Sequence, residues 1–261
     1  MNETDAFARE VADNVRGMKA DDDLQAFSRM WARAVAKYRY AYNFSWLGRP
    51  IIQVPQDIVA MQELVFKVKP SVIVETGIAH GGSLVLNASL MELLGGNGIV
   101  IGVDRDIRAH NREALDAHPL RRRMKLIEGS SVDPEVVSEV GRLVREQTSV
   151  PGAGPVLVSL DSDHTHDHVL AELRAYAPLV KAGSYVVVFD TLIDDLPADL
   201  FVGKTWGPQN NPKTAVRAFL KECPRFAADL DIDAKLLITV APGGWLRCLE
   251  DPASTDKEGV S

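Results

Sequence analysis

The chain has 261 residues, 46% of them hydrophobic, and a formal net charge of −7. That length accommodates one large α/β domain with an extension, or two small domains, and the apolar share supports a substantial core. The negative charge argues against a general nucleic-acid binder, and no uncharged apolar run is long enough to predict a transmembrane helix.

In chain order, residues 1–50 read as a helical arm. Phe7, Val11 and Val15 recur every four residues, and a second amphipathic stretch runs from Leu24 to Tyr42. Asp21-Asp22-Asp23 separates the two and can cap the second helix. The arm is dense in aromatics, from Phe27 and Trp31 to Trp46, which suits packing on the domain, a subunit interface in a homo-oligomer, or a lid. Pro50 and Pro55 mark the start of a main domain over 51–250, and Asp57 to Lys69 reads as its first helix. Strands are then predicted near 72–76, 99–104, 124–128, 155–161 and 184–189. They alternate with helices near 82–95, 108–117, 133–147, 166–179 and 212–222. Such alternation implies a parallel sheet with helices on both faces. Leu236–Val240 and Trp245–Leu249 around Pro242-Gly243-Gly244 read as a closing antiparallel hairpin, and 251–261 as a frayed tail. The layout is that of a Rossmann-like, seven-stranded α/β sheet. The acidic N-terminus does not look like a secretory signal, and Cys223 and Cys248 suit reduced thiols in a cytoplasmic protein.

The chemistry gathers at the carboxyl ends of the predicted strands. Val72-Ile-Val-Glu-Thr-Gly-Ile-Ala-His-Gly-Gly-Ser83 is a β-branched run ending in an acid, followed by a glycine-spaced turn into a helix. Gly77, Gly81 and Gly82 allow backbone to approach a ligand. A dinucleotide fingerprint would want glycine where Ala79 stands, and a carboxylate at Glu75 would repel a pyrophosphate. That acid suits an ammonium or sulfonium, and S-adenosylmethionine carries both. Asp104 ends the next strand, where such folds bind ribose hydroxyls; it can equally cap the following helix. Asp161 and Asp190 end the fourth and fifth strands and can bind one divalent cation through hard oxygens. Such an ion lowers the pKa of a bound hydroxyl, as an O-methyl transfer requires. Asp163 reads as a helix cap, and His166 and His168 as exposed residues at a helix start.

Four segments carry a resemblance. Val74-Glu-Thr-Gly-Ile-Ala-His-Gly-Gly-Ser83, Leu160-Asp-Ser-Asp-His-Thr165, Val169-Leu-Ala-Glu-Leu-Arg-Ala-Tyr-Ala-Pro-Leu-Val180 and Gly183-Ser-Tyr-Val-Val-Val188 resemble the cephalosporin hydroxylase family. That family includes rhamnosyl O-methyltransferases, and the match runs from about Gln53 to Leu249. It implies a class I methyltransferase, usually magnesium-assisted, acting on a hydroxyl of a small-molecule acceptor, a sugar or other natural product. The donor would lie across the first, second and fourth strand tips, held by Glu75, Gly77, Gly81, Ser83, Asp104, Ser131 and Asp161. The acceptor would sit above Asp161 and Asp190, beneath loop 192–211, where Trp206 either stacks on a ring or packs. In the more distantly similar catechol-type enzymes a lysine three residues past the metal-binding Asp takes the acceptor proton; the residue at that offset here is His164, a candidate base. The family commonly shows Glu-Asp-Thr after the fifth strand, whereas this chain has Phe189-Asp190-Thr191. One carboxylate ligand is therefore missing, with water, Asp163 or Asp194 as substitutes, or with weakened or absent metal binding. That departure also admits a non-catalytic protein that keeps the fold for assembly or partner binding.

Overall fold

The computed structural model describes residues 3–251, so the predicted tail beyond Asp251 lies outside the described residues. The chain opens with α1 (Glu3–Ala20) and α2 (Asp22–Ala36), separated as the acidic run predicts. Asp21 caps α2, its side chain accepting the Leu24 N–H at 2.9 Å. A short antiparallel pair, β1 (Phe44–Trp46) and β2 (Arg49–Ile51), follows. Its two-residue turn is Leu47-Gly48, both with positive φ, which matches the twist of the flanking strands. The boundary predicted at residue 50 therefore falls inside β2.

The main body alternates as predicted: α3 (Pro55–Val68), β3 (Val72–Thr76), α4 (Gly82–Leu94), β4 (Ile99–Asp104), α5 (Ala109–Asp116), β5 (Met124–Glu128), α6 (Pro134–Thr148), β6 (Val156–Leu160), α7 (His166–Tyr176), β7 (Tyr185–Val188) and α8 (Pro212–Glu222). It ends with β8 (Phe226–Ala228), α9 (Leu230–Leu236) and β9 (Trp245–Cys248). The seven strands lie in the order β5-β4-β3-β6-β7-β9-β8, parallel except where β9 meets its two neighbours. Strands β3, β6 and β7 are buried along their whole length because helices cover both faces. Alternate residues of these strands feed two apolar clusters. Ile73, Tyr185, Val187 and Phe189 face α3 and α4, while Val72, Val74, Val186 and Val188 face α6, α7 and α8. Among the described residues no helix is long and apolar enough to cross a membrane.

The predicted hairpin is corrected in its partner. β9 does pair antiparallel, but with β8, and Leu236–Val240 is not a strand. Leu237 ends α9 at φ +60, and Val240 then donates its N–H to Asp57 and accepts one from Leu192. Leu236 and Val240 pack into the core cluster under α3, a burial demand that β-propensity cannot separate from strand pairing.

The arm is docked. α1 lies along α9, with Lys19 paired to Asp231 at 2.7 Å. The β1–β2 pair sits on α4, where Trp46 donates to Ser89 at 3.0 Å and Gly82 faces the Pro50 carbonyl. A Cβ at Gly82 would stand 2.2 Å from that oxygen. Gly82→Ala should therefore destabilise the protein by about 1–3 kcal/mol in urea denaturation, as overpacking against backbone does. Unchanged stability would mean that the pair is not seated on α4.

Candidate active site

The sheet reverses its winding at β3, whose neighbours β4 and β6 lead to opposite edges. The crevice at the carboxyl ends of these strands is where such sheets bind ligands. Asp161 donates its N–H to the Thr76 carbonyl at 2.9 Å, so β3 and β6 leave the sheet side by side. Gly77 takes φ +87, and a Cβ there would fall 2.0 Å from the Asp161 carbonyl oxygen. Its lack of a side chain thus serves backbone packing first. Gly81 is similar: at φ +84, a Cβ would meet Leu115 at 2.7 Å, and Gly81 does not line the crevice.

Three cavities open along the edge. One of about 300 Å³ is lined by Gly77, Asp104, Ser131, Asp161, His164 and Trp206. A second, of about 460 Å³, lies between α2 and the 192–206 segment, walled by Trp31, Val35, Leu192 and Phe201, and reaches His164, Asp190 and Trp206. The third, about 160 Å³, joins Tyr42 and Gln53 to Gly77, Ser83, Asp161, His164 and Asp190. Asp161 therefore faces the first cavity, Asp190 the second, and His164 all three. The arm packs on the domain, and α2 is also a wall of the larger cavity, with Arg33 donating to the Asp195 carbonyl of the opposite wall at 2.9 Å.

One oxygen or nitrogen each of Asp161, His164 and Asp190 lie within 4.8 Å of one another, and His164 Nε2 is 3.3 Å from Asp190 Oδ2. Asp190 leaves β7 at φ +56, a left-handed conformation costly for a side-chain-bearing residue and often found at functional sites. Burial and then the facing Asp190, Glu75, Glu172 and Asp57 carboxylates hold the Asp161 pKa well above the ordinary carboxylate range. A pocket of mutually repelling acids with an imidazole at its rim fits a divalent cation by charge and donor type. His164 also stands edge-on to the Trp206 ring, with centroids 5.1 Å apart.

Glu75 differs from its predicted place. It is buried and outside all three cavities, its oxygens accepting Ser83 Oγ at 2.6 Å and Asn87 Nδ2 at 2.7 Å. It braces the start of α4 rather than facing a ligand, because a fully packed strand turns this side chain under the helix. Asp104 lines the first cavity while Oδ2 accepts the Ile78 and Ala79 N–H groups at 2.8 and 3.0 Å, so it also shapes the glycine turn. From outside, Arg49 bonds the His80 carbonyl and Asn111, which in turn bonds the Ala79 carbonyl. Neither residue stood out in the sequence, since nothing local marks a side chain reaching across from another element.

Ser131 and Ser162 both donate to the buried Glu172, and His168 Nε2 lies 3.0 and 3.2 Å from the two hydroxyls. His168 is thus not an exposed helix-start residue, and its pKa is raised by the Glu172 carboxylate. Asp163 bonds the Thr165 N–H and hydroxyl, closing the turn before α7. Asp194 is held by Asn211 and by Arg217, each at 2.9 Å. Phe189 is 1% exposed and packed edge-on against Trp245.

Burial raises the Glu75 pKa to about 7, against the opposing hydrogen bonds from Ser83 and Asn87. Between its ordinary value of 4.5 and about 7 the native protein holds a proton that the unfolded chain has lost, so this group makes stability fall as pH rises through that window. Asp57 and Asp233, raised to about 7 and about 6, act in the same direction. Glu75→Gln should shallow the pH dependence of the urea midpoint over that range; an unaltered slope would show that Glu75 is ionised throughout.

The family model described as Rhamnosyl O-methyltransferase/CmcI matches residues 38–249. The Rhamnosyl O-methyltransferase of Mycobacterium tuberculosis (strain ATCC 25618 / H37Rv) is 34% identical over 192 residues, 73% of this chain and 72% of that protein. Its namesake in Mycobacterium leprae (strain TN) is 29% identical over 203 residues, 77% of this chain and 82% of that protein. Among solved structures, apo CmcI covers 80% of this chain and 77% of its own at 20% identity and a TM-score of 0.53. A CmcI structure with Mg and SAM gives the same coverage and TM-score at 19% identity. These two likenesses speak for the fold alone. With the family model spanning residues 38–249 and a relative 34% identical over most of both chains, this chain belongs to the Rhamnosyl O-methyltransferase/CmcI family.

Proposed function

We propose that the protein transfers a methyl group from S-adenosylmethionine to a hydroxyl of a sugar or other natural product, with a divalent cation assisting. The observation that carries this reading is the meeting of two cavities at one acid–imidazole cluster: Asp161 faces the smaller, Asp190 the larger, and His164 both. A two-substrate transfer needs such an arrangement, because in-line positioning of the oxygen against the methyl group accounts for most of its catalysis.

The donor is assigned to the cavity under Gly77, with Asp104 on its ribose and Ser131 near its adenine. Glu75 and Ser83 act on its methionine end through the architecture of the glycine turn. The third cavity supplies an acceptor for an ammonium: Gln53 is 3% exposed and its Oε1 has no partner among the described residues. Asp161 and Asp190 would hold the cation, which supplies a Lewis acid that lowers the pKa of the acceptor hydroxyl. The cavity beside α2 takes the acceptor, and its apolar walls exclude water from the transferring methyl. His164 serves the ionisation of that hydroxyl either as its base or as a ligand that keeps the cation in place. A cytoplasmic homo-oligomer is part of this reading, supported by the two free cysteines and by the exposed apolar Phe7, Phe27 and Met30 of the arm.

Calorimetry with S-adenosylmethionine and mass spectrometry of candidate acceptors incubated with enzyme and donor test the reading directly. Asp104→Ala should weaken donor binding by about 1–3 kcal/mol, since ribose and glycine turn both lose a charged acceptor. Wild-type affinity would remove Asp104 from the site. His164→Ala should lower turnover roughly 10²–10⁴-fold with donor affinity kept. A variant retaining more than about a third of turnover would assign His164 to structure. Donor binding without transfer to any acceptor in a broad panel would favour a non-catalytic role.

A further inference from the structure

The resemblance implies a second carboxylate at the position that Phe189 holds in this chain, and the Phe189 ring is buried against Trp245 at a centroid distance of 6.0 Å. The acids that could replace it are engaged elsewhere: Asp163 with Thr165, Asp194 with Asn211 and Arg217. The group that stands with Asp161 and Asp190 is the His164 imidazole. Its Nε2 lies 3.3 Å from Asp190 Oδ2. Two donors bound at 90–109° to one ion, with bonds of about 2.0–2.2 Å, stand about 2.8–3.6 Å apart, so this spacing is already that of neighbouring ligands.

We propose that His164 is the third protein ligand of the cation site, in place of the missing carboxylate, and that the resulting one-nitrogen, two-oxygen set prefers a first-row transition ion over magnesium. This rests on the reading of Asp161 and Asp190 as ligands. Exchanging an anionic oxygen for a neutral imidazole removes charge that a hard cation depends on. It adds a donor that manganese, cobalt and zinc accept more readily than magnesium does. The same assignment accounts for the His164 position, whose Nε2 stands beside Asp190 Oδ2 at the spacing of two ligands on one ion.

The test uses the full chain, stripped with chelator and without donor, titrated in a calorimeter with cobalt(II), manganese(II) and magnesium(II) chlorides. Cobalt should bind at least about tenfold more tightly than magnesium. His164→Ala should lose most of that preference, with cobalt affinity falling about 10–100-fold and magnesium affinity changing only severalfold. His164→Asp should shift the preference back toward magnesium. Pulsed electron paramagnetic resonance of the manganese-loaded protein should show coupling to a directly bound nitrogen in the wild type and none in His164→Ala. Equal cobalt affinity in wild type and His164→Ala, or a manganese spectrum without nitrogen coupling, overturns the proposal. Absence of binding by all three ions overturns it together with the Asp161 and Asp190 assignment. Donor calorimetry on the same sample then reports separately whether the S-adenosylmethionine site stands. A melting curve for each variant confirms that a loss of affinity is not a loss of fold.

Discussion

The contact between Gly77 and the Asp161 backbone is the constraint on which the rest of the site depends. β3 and β6 are parallel neighbours that leave the sheet at the same height, and the carbonyl of Asp161 occupies the space where a side chain at 77 would stand. No larger residue fits without parting the two strand tips. Because the backbones touch, the Asp161 side chain emerges at the winding switch of the sheet, between the cavity under the glycine turn and the small one that reaches Tyr42 and Gln53. Asp190, one strand further along, reaches the same crevice only by taking a left-handed backbone conformation at the end of β7. Strain tolerated at that point is consistent with a carboxylate whose direction matters more than its backbone comfort.

That geometry gathers ionisable acids where water is scarce and their charged forms are disfavoured. Glu75, Glu172 and Asp57 are buried, and with Asp190 they oppose ionisation of Asp161. Each is anchored differently. Glu75 is held by Ser83 and Asn87, Glu172 by two serine hydroxyls from separate loops, and Asp57 by the Val240 N–H. Buried acids are retained at a cost in stability when they order backbone or await a counter-charge. Here the first three order the surrounding backbone, and Asp161 and Asp190 are the pair that lines the crevice.

The arm gives the crevice one wall of its larger cavity. α2 brings Trp31 and Val35 against the 192–206 segment, and Arg33 bonds that segment directly. Lys213 of α8 pairs with Asp195 of the same segment, so the cover is tied to the body as well as to the arm. Shape at this cavity therefore depends on three parts of the chain, while the cavity under Gly77 is shaped mostly by the strand tips.

Much of this was legible in the sequence, because it follows from short-range rules. β-branched runs, glycine turns and amphipathic periods placed five parallel strands within one residue and their helices within three, and Asp21 as the cap of α2. An acid ending a strand in an open α/β sheet must lie at its carboxyl edge, so Asp104, Asp161 and Asp190 were readable as edge residues. What local pattern cannot determine is the direction of a side chain once the strand ends, or which distant segment comes to lie beside it. Packing alone turned Glu75 under α4 and drew His168 into the serine–glutamate cluster. It paired β9 with Phe226–Ala228 instead of the more strand-like Leu236–Val240. It also set α2 opposite Leu192 and Phe201, and turned the imidazole of His164 toward Asp190. The sequence by itself determined which chemistry reaches the sheet edge; the tertiary structure decided which of those groups meet, because their meeting depends on contacts between residues far apart in the chain.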